Sequence, residues 1–426
     1  MPASPSLLIV PARFKTGKLY TQIATTSAGV VLGSSGDFNV TRATTATRFN
    51  SAGLIESVAS GVPRLDYYSS GGTAGCPALL VEPSGSNLAL QSENFTTTWG
   101  AASLNITSGF TSPTNSNLGA LIEASAVGGR LRQSVTLTSG ATLDFSCFAK
   151  LGTLSSGVSL VFQDGTSTNY TSGACQAFRL DTGQLASSGS TGAGFTVVRS
   201  GIENYGNGWY RCNLAVTMGY TPAAPHIMIR PTAALTSSIP VTVSGDTCYI
   251  FGAQLEVGSV ATSYIPTTTG SVTRNADVIN LSGAVSGCIG QTEGTVYLDL
   301  SYGQVTSTAT RWLELFGSSN HIGLAVGTAG LLRSIVNGQS DILAGTETST
   351  RFKIAWSYNS SGVVCFINGV EFTLTNGGAQ TMTSLTGFKI DMSTVGGQRT
   401  FNNRINAFAL YTSRLTNAEL QSLTTL

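Results

Sequence analysis

Charge is scarce in this chain. Asp, Glu, Lys and Arg make up 10% of its 426 residues, against about 25% in an ordinary soluble domain. The net charge is +1 and the basic residues never gather into a run, which argues against nucleic acid and anionic membrane surfaces as partners. Long apolar runs are missing too. The first one, Leu7 to Val10, stops at Pro11, too short for a signal-peptide core or a membrane span, so neither membrane insertion nor export by the general route is expected. The seven cysteines (76, 147, 175, 212, 248, 288 and 365) are far apart with no CxxC, and the histidines number two, His226 and His321. That excludes a closely spaced disulfide framework or structural zinc site, and no metal or cofactor is expected.

The usual catalytic patterns are equally thin. No Gly-x-Ser-x-Gly elbow sits between a strand and a helix, and no phosphate loop ends in Gly-Lys-Ser/Thr. A glycosidase needs two carboxylates across one cleft. Asp299 in YLDLSYG and Glu314 in WLELFG each stand alone on a strand-like segment, so each reads as a solvated or hydrogen-bonded residue. No catalytic residue is assigned, and the chain is not expected to be an enzyme. No DxDxDG-type calcium loop occurs.

What is abundant is glycine, 50 residues of it, with Ser and Thr in nearly every block of ten and 41% hydrophobic residues. Low charge with that much apolar content is the opposite of a disordered composition. It suits an all-β chain with many tight turns. Leu143, Phe145, Cys147 and Ala149 alternate with polar neighbours, as do Tyr210, Cys212, Leu214, Val216 and Met218 against Arg211, Asn213 and Thr217. Each set predicts one buried face of a strand, with Cys147 and Cys212 acting as small apolar residues. Asn207-Gly208 and Asn368-Gly369 are hairpin-turn signals. Trp356 shares the apolar register Ile354-Trp356-Tyr358 and should pack in a core, while Thr416-Asn417-Ala418-Glu419 is a capping box opening a short C-terminal helix. Pro63, Pro77 and Pro83 keep helix out of the N-terminal part. Three units follow: 1–92, 93–270 and 271–426.

Residues 40–95 run from Arg42 through Pro63-Arg64-Leu65-Asp66-Tyr67 to Leu79-Leu80-Val81-Glu82-Pro83 and Asn87-Leu88. This order of words resembles the N-terminal region of bacteriophage head-fibre and tail-fibre proteins. GNGWYR followed by FGAQLEVGSVATSYIPT is similar to the carbohydrate-binding jelly-roll modules of phage fibres, and the ending FALY then LTNAEL resembles a laminin-G or concanavalin-like sandwich. The resemblance implies an extended N-terminal virion-attachment segment followed by two antiparallel β-sandwich domains. It implies a head fibre on the capsid, or alternatively a tail fibre, assembled in the host cytoplasm and displayed on the virion surface. The implied partners are the major capsid or another virion protein, sister chains in a homo-oligomer such as a trimer, and host surface glycans bound weakly and multivalently. A polysaccharide depolymerase on the same virion is the alternative that would require chemistry.

Two sets of residues carry these expectations. Leu7, Leu8, Ile9, Val10 and Phe14 would be apolar pegs buried on a virion partner. For glycans, an aromatic platform beside polar side chains suits the apolar face and hydroxyls of a pyranose. Trp209 and Arg211 supply one such pair, and Trp312 with Asn320 and His321 another.

Overall fold

Alternation decides the middle of the chain. Thr142–Leu151 and Trp209–Met218 pair antiparallel with Cys147 opposite Cys212, so the residues expected to face inward do so together. Leu143, Phe145, Cys147, Cys212, Leu214 and Val216 lie in one core with Phe162, Phe178, Ile229 and Leu255. Burying each such Leu or Phe contributes about 1.5–3 kcal/mol. Their sheet runs Leu104–Phe110, Gly119–Ala124, Thr247–Val257, Thr142–Leu151, Trp209–Met218, Phe195–Asn204. A seven-stranded sheet that includes Arg130–Ser134, Pro225–Thr232, Gly157–Asp164 and Gly173–Arg179 covers the other side of that core. The hairpin before Trp209 turns through Asn207 and Gly208, with φ of 53° and 79°, the left-handed pair that a two-residue turn demands.

This computed structural model describes residues 4–11, 14–19, 23–24, 38–69, 71–152, 157–165, 173–186, 190–232, 242–282, 287–302, 310–317, 321–326, 332–336, 339–344, 351–372, 374, 385–391 and 403–426. Among them the chain is all-β, in antiparallel sheets, apart from the helix Asn417–Thr424. That helix opens with the expected capping box: the Thr416 side chain accepts from the Glu419 backbone N–H, and the Glu419 carboxylate accepts from the Thr416 N–H at 2.9 Å.

The second sandwich stacks two nine-stranded sheets. One contains Gly294–Tyr302, Arg351–Asn359, Gly362–Ile367 and Asn403–Tyr411, and the other contains Val278–Ser282, Thr310–Gly317 and Leu385–Asp391. Trp356 is fully buried between them, as its register predicted, with Phe38, Phe352, Phe388 and Phe408. Asp299, expected at the surface, is buried and accepts from Arg351 at 2.6 and 3.0 Å.

The N-terminal part differs from the expectation. Leu7–Ile9 is a strand of this second sandwich, in register with Leu410, Ala409 and Phe408, and Phe38–Thr41 and Ala74–Val81 join its two sheets. Leu7 and Ile9 are 0% and 1% exposed, and Leu8 packs beside Ala409 and Leu420. Leu7 and Ile9 thus fill the chain's own core and are not available as pegs for a virion partner, while Leu8 is half-buried. Val10 and Phe14 remain exposed. The reason is topological: the strand needs an apolar partner, and the chain's own last strand supplies one. The expectation of an extended segment came from short strands whose partners lie hundreds of residues away.

Between the sandwiches lies a buried ionic joint. The Arg64 guanidinium donates to Glu82 at 2.7 Å and to Asp277, and Arg42 donates to the same Asp277 at 2.9 Å. Arg274 stands 3.5 Å from Glu82, and Ser263 donates to that carboxylate through its backbone N–H at 2.8 Å and its hydroxyl at 2.6 Å. All five charged side chains are at most 3% exposed. The cluster holds the Glu82 carboxyl well below the usual carboxylate range: the neighbouring arginines and the Ser263 hydrogen bonds outweigh burial, the largest single influence, which acts the other way. Asn87 completes the joint with four hydrogen bonds, to Ala253, Ile265, Ala89 and Leu255. Residues 40–95, whose wording drew the resemblance, are therefore the seam that fixes one sandwich against the other.

Candidate functional site

The outer face of the six-stranded sheet is polar where the sheet period requires it. Asn213 and Arg211 follow Trp209 at alternate positions, and Arg199, Gly201 and Glu203 do the same on the neighbouring edge strand. Cross-strand register sets Gly201 opposite Asn213 and Glu203 opposite Arg211. Arg199, Glu203, Arg211 and Asn213, together with Tyr205 and with Arg404 from the other sandwich, line a narrow recess. Gly201 keeps it open, because a Cβ there would lie 2.5 Å from the Asn213 side-chain oxygen and 3.3 Å from an Arg199 guanidinium nitrogen.

Next to the recess, in the same row as Arg199 and Ala215, sits Asp144, fully buried. One carboxylate oxygen accepts from the Asn213 amide at 2.9 Å, and the other has no hydrogen-bond partner. Burial pushes this carboxyl up to about 6, against the pull of Arg199 and of the Asn213 hydrogen bond. Arg199 makes no hydrogen bond to any described residue, and the charges that act on it are those of Asp144 and Glu203. Burial lowers its affinity for the proton, and those two carboxylates oppose the effect. Arg211 donates to Ser146 at 3.2 Å and lies over the Phe148 ring at 5.3 Å. Arg404 reaches Asp66 at 3.4 Å and covers the Tyr68 ring at 4.7 Å. Burial raises the Tyr205 phenol to about 12, so it is neutral and able to donate. The site can hold an acceptor-bearing group by hydrogen bonds. It offers no activated nucleophile: Cys147, beneath the same sheet, is fully buried and pushed up to about 12 by that burial.

Of the residues expected to bind glycans, Arg211 belongs to this recess. Trp209 does not. It is 3% exposed and packs with Ile55, Phe148, Phe251 and Tyr264. It shares a strand face with Arg211, but Ile55 and Tyr264 cover that end of the sheet. Trp312 and His321 lie on the paired strands Thr310–Gly317 and His321–Val326, their side chains outside the described residues, as is Asn320 altogether. Arg199, Glu203, Asp144 and Arg404 were not anticipated. The alternation Arg199-x-Gly201-x-Glu203 could have found the first two; Arg404 could not be found, since it arrives from the other sandwich. The exposed Cys76 is far in sequence from the other thiols, which are all buried.

No protein-family model and no curated protein sequence matches the chain. Among the solved structures to which it is similar, each over about a third of its length, are the following. The binding domain of botulinum neurotoxin DC in complex with rat synaptotagmin II shares 8% identity over 35% of this chain and 40% of that one, at a TM-score of 0.30. The receptor binding domain of botulinum neurotoxin mosaic serotype C/D shares 11% over 34% and 39%, at 0.28. The Ruminococcus gnavus IT-sialidase CBM40 bound to α2,3-sialyllactose shares 13% over 32% and 84%, at 0.26. The chain thus spans about 40% of the length of the neurotoxin chains it matches. Likeness at these TM-scores says nothing of what this chain binds.

Proposed function

We propose that this chain is a binding protein without catalytic chemistry, displayed on a phage virion as a head fibre and adsorbing weakly and multivalently to surface glycans. The observation that carries the binding half of this reading is the recess: hydrogen-bonding side chains from three elements converge there, with an arginine left without a hydrogen bond. The virion half rests on the wording of residues 40–95 and of 206–266. Polar, hydroxyl-bearing ligands suit donors and acceptors held on a rigid sheet, and the ionic joint keeps the two sandwiches from shearing across the site. Repetition of the chain in a homo-oligomer such as a trimer would turn a weak contact into avidity.

Immunogold labelling of phage particles from cultures that carry the gene tests the location. Label over the capsid is expected. Label confined to the tail tip would make the chain a tail fibre instead, and unlabelled particles would overturn the virion reading. Release of reducing sugar from host polysaccharide by the purified chain would replace adsorption with depolymerisation.

A further inference from the structure

Arg199 is the anomaly of the recess. Its Nε is buried without a partner, whereas its terminal nitrogens are not buried, so the planar fork is open to an incoming acceptor. Orphaned Nε atoms by themselves mean little here, because Arg64 and Arg274 in the ionic joint have them too. Those arginines, however, spend their terminal nitrogens on carboxylates and carbonyls, whereas the Arg199 fork has no hydrogen-bond acceptor among the described residues. Two strands away along the same row of the sheet, the second oxygen of the fully buried Asp144 is also without a partner. Glu203, two positions along the same strand face, likewise makes no hydrogen bond to a described residue. Among the charged side chains lining the recess, three arginines stand against one glutamate.

We propose that the recess takes the carboxylate of an acidic sugar, a uronate or sialate residue of an oligosaccharide. This rests on the glycan-adsorbing reading above and names its ligand class. The planar fork of Arg199 matches a carboxylate bidentately. Arg211 and Arg404 raise the positive potential around it, and Tyr205 donates to the ring substituents. Glu203 decides between a sugar acid and a bare anion. It accepts from a sugar hydroxyl, a group that acetate lacks, so one carboxylate on Arg199 and one hydroxyl on Glu203 are satisfied together only by a sugar acid. The recess is too narrow for a whole pyranose, so the carboxylate enters and the ring stays at the mouth, beside Val260 and Ala261.

The test uses the full chain on an array of oligosaccharides ending in uronate or sialate, their methyl esters and their neutral counterparts. Acid forms are expected to bind at least tenfold more tightly than esters. Arg199→Ala should abolish that preference while leaving the unfolding temperature unchanged, and Glu203→Gln should weaken acid and ester alike. Uronate against sialate on the array identifies the source of the carboxylate. Equal binding of acids and esters would overturn the inference and leave the glycan reading standing. Competition by acetate as effective as by the sugar acid would overturn the sugar part, and absence of binding to any sugar, charged or neutral, would overturn both.

Discussion

The ionic joint and the recess are built from the same parts and serve opposite ends. Each gathers three arginines with acidic side chains at the border of two sandwiches. In the joint, Arg64 is enclosed by Glu82, Asp277, Ser263 and the Thr47 carbonyl. Its charge is compensated on all sides, and the cluster is closed. In the recess, Arg199 meets no acceptor, and Asp144 keeps an idle oxygen. Burial of charge therefore does not by itself mark a structural or a functional site. The distinguishing quantity is how much of the hydrogen-bonding capacity the protein has already used.

The strongest way to break the comparison is Glu82→Gln. It leaves Arg64 and Arg274 buried without their shared carboxylate and should cost about 3–5 kcal/mol in urea unfolding. A cost below about 1 kcal/mol would mean that the joint is incidental. The effect depends on pH with a definite sign. Because the folded Glu82 carboxyl titrates below its unfolded value near 4.5, its contribution is complete above that pH and fades as pH falls further. Wild type and variant should converge in acid.

Asp144→Asn has the opposite sign. The folded carboxyl titrates near 6, above its unfolded value of 3.8. Its burial penalty is therefore absent below pH 3.8 and complete above about 6. The substitution should stabilise the protein by on the order of 2–3 kcal/mol at pH 8 and by nothing at pH 3.5, read as thermal unfolding at the two pH values. Equal gains at both would show that the carboxylate carries no such penalty.

Smaller effects sharpen the contrast. Gly201→Ala pushes a methyl group against the Asn213 amide and should cost about 1 kcal/mol while disrupting the recess, seen as loss of glycan retention on an affinity gel. Arg199→Ala should fall within about 0.5 kcal/mol of wild type, since it breaks no hydrogen bond. A loss of several kcal/mol there would move Arg199 into the structural class with Arg64.

Much of the architecture was legible because strand alternation is a local signal. The inward set Leu143, Phe145 and Cys147, the core position of Trp356, the two Asn-Gly turns and the Thr416 cap all follow from neighbours within a few residues. The ionic joint was not legible, since Arg42 and Asp277 are separated by 235 residues and a single charge in a Thr-rich stretch has no period. Trp209 shows where the two kinds of information part. Parity puts it on the same strand face as Arg211, but only distant residues, Ile55 and Tyr264, determine whether that face meets water.

The pairing of the first strand with the last reaches into synthesis. Ser6 donates its backbone N–H to the carbonyl of Leu410, 404 residues downstream. At roughly 5–20 residues per second, Leu7 and Ile9 wait about 20–80 s after emerging before their partner exists. During that interval the strand Leu7–Ile9 lacks its partner strand Asn403–Tyr411, and its exposed backbone donors and apolar side chains are the condition that invites strand exchange between neighbouring nascent chains. The sandwich around Phe145 and Leu214 has its own core and can fold inside that window. A late block to translation would leave a folded middle flanked by a sheet that cannot close, a product that proteolysis would trim to the sandwich around Phe145 and Leu214.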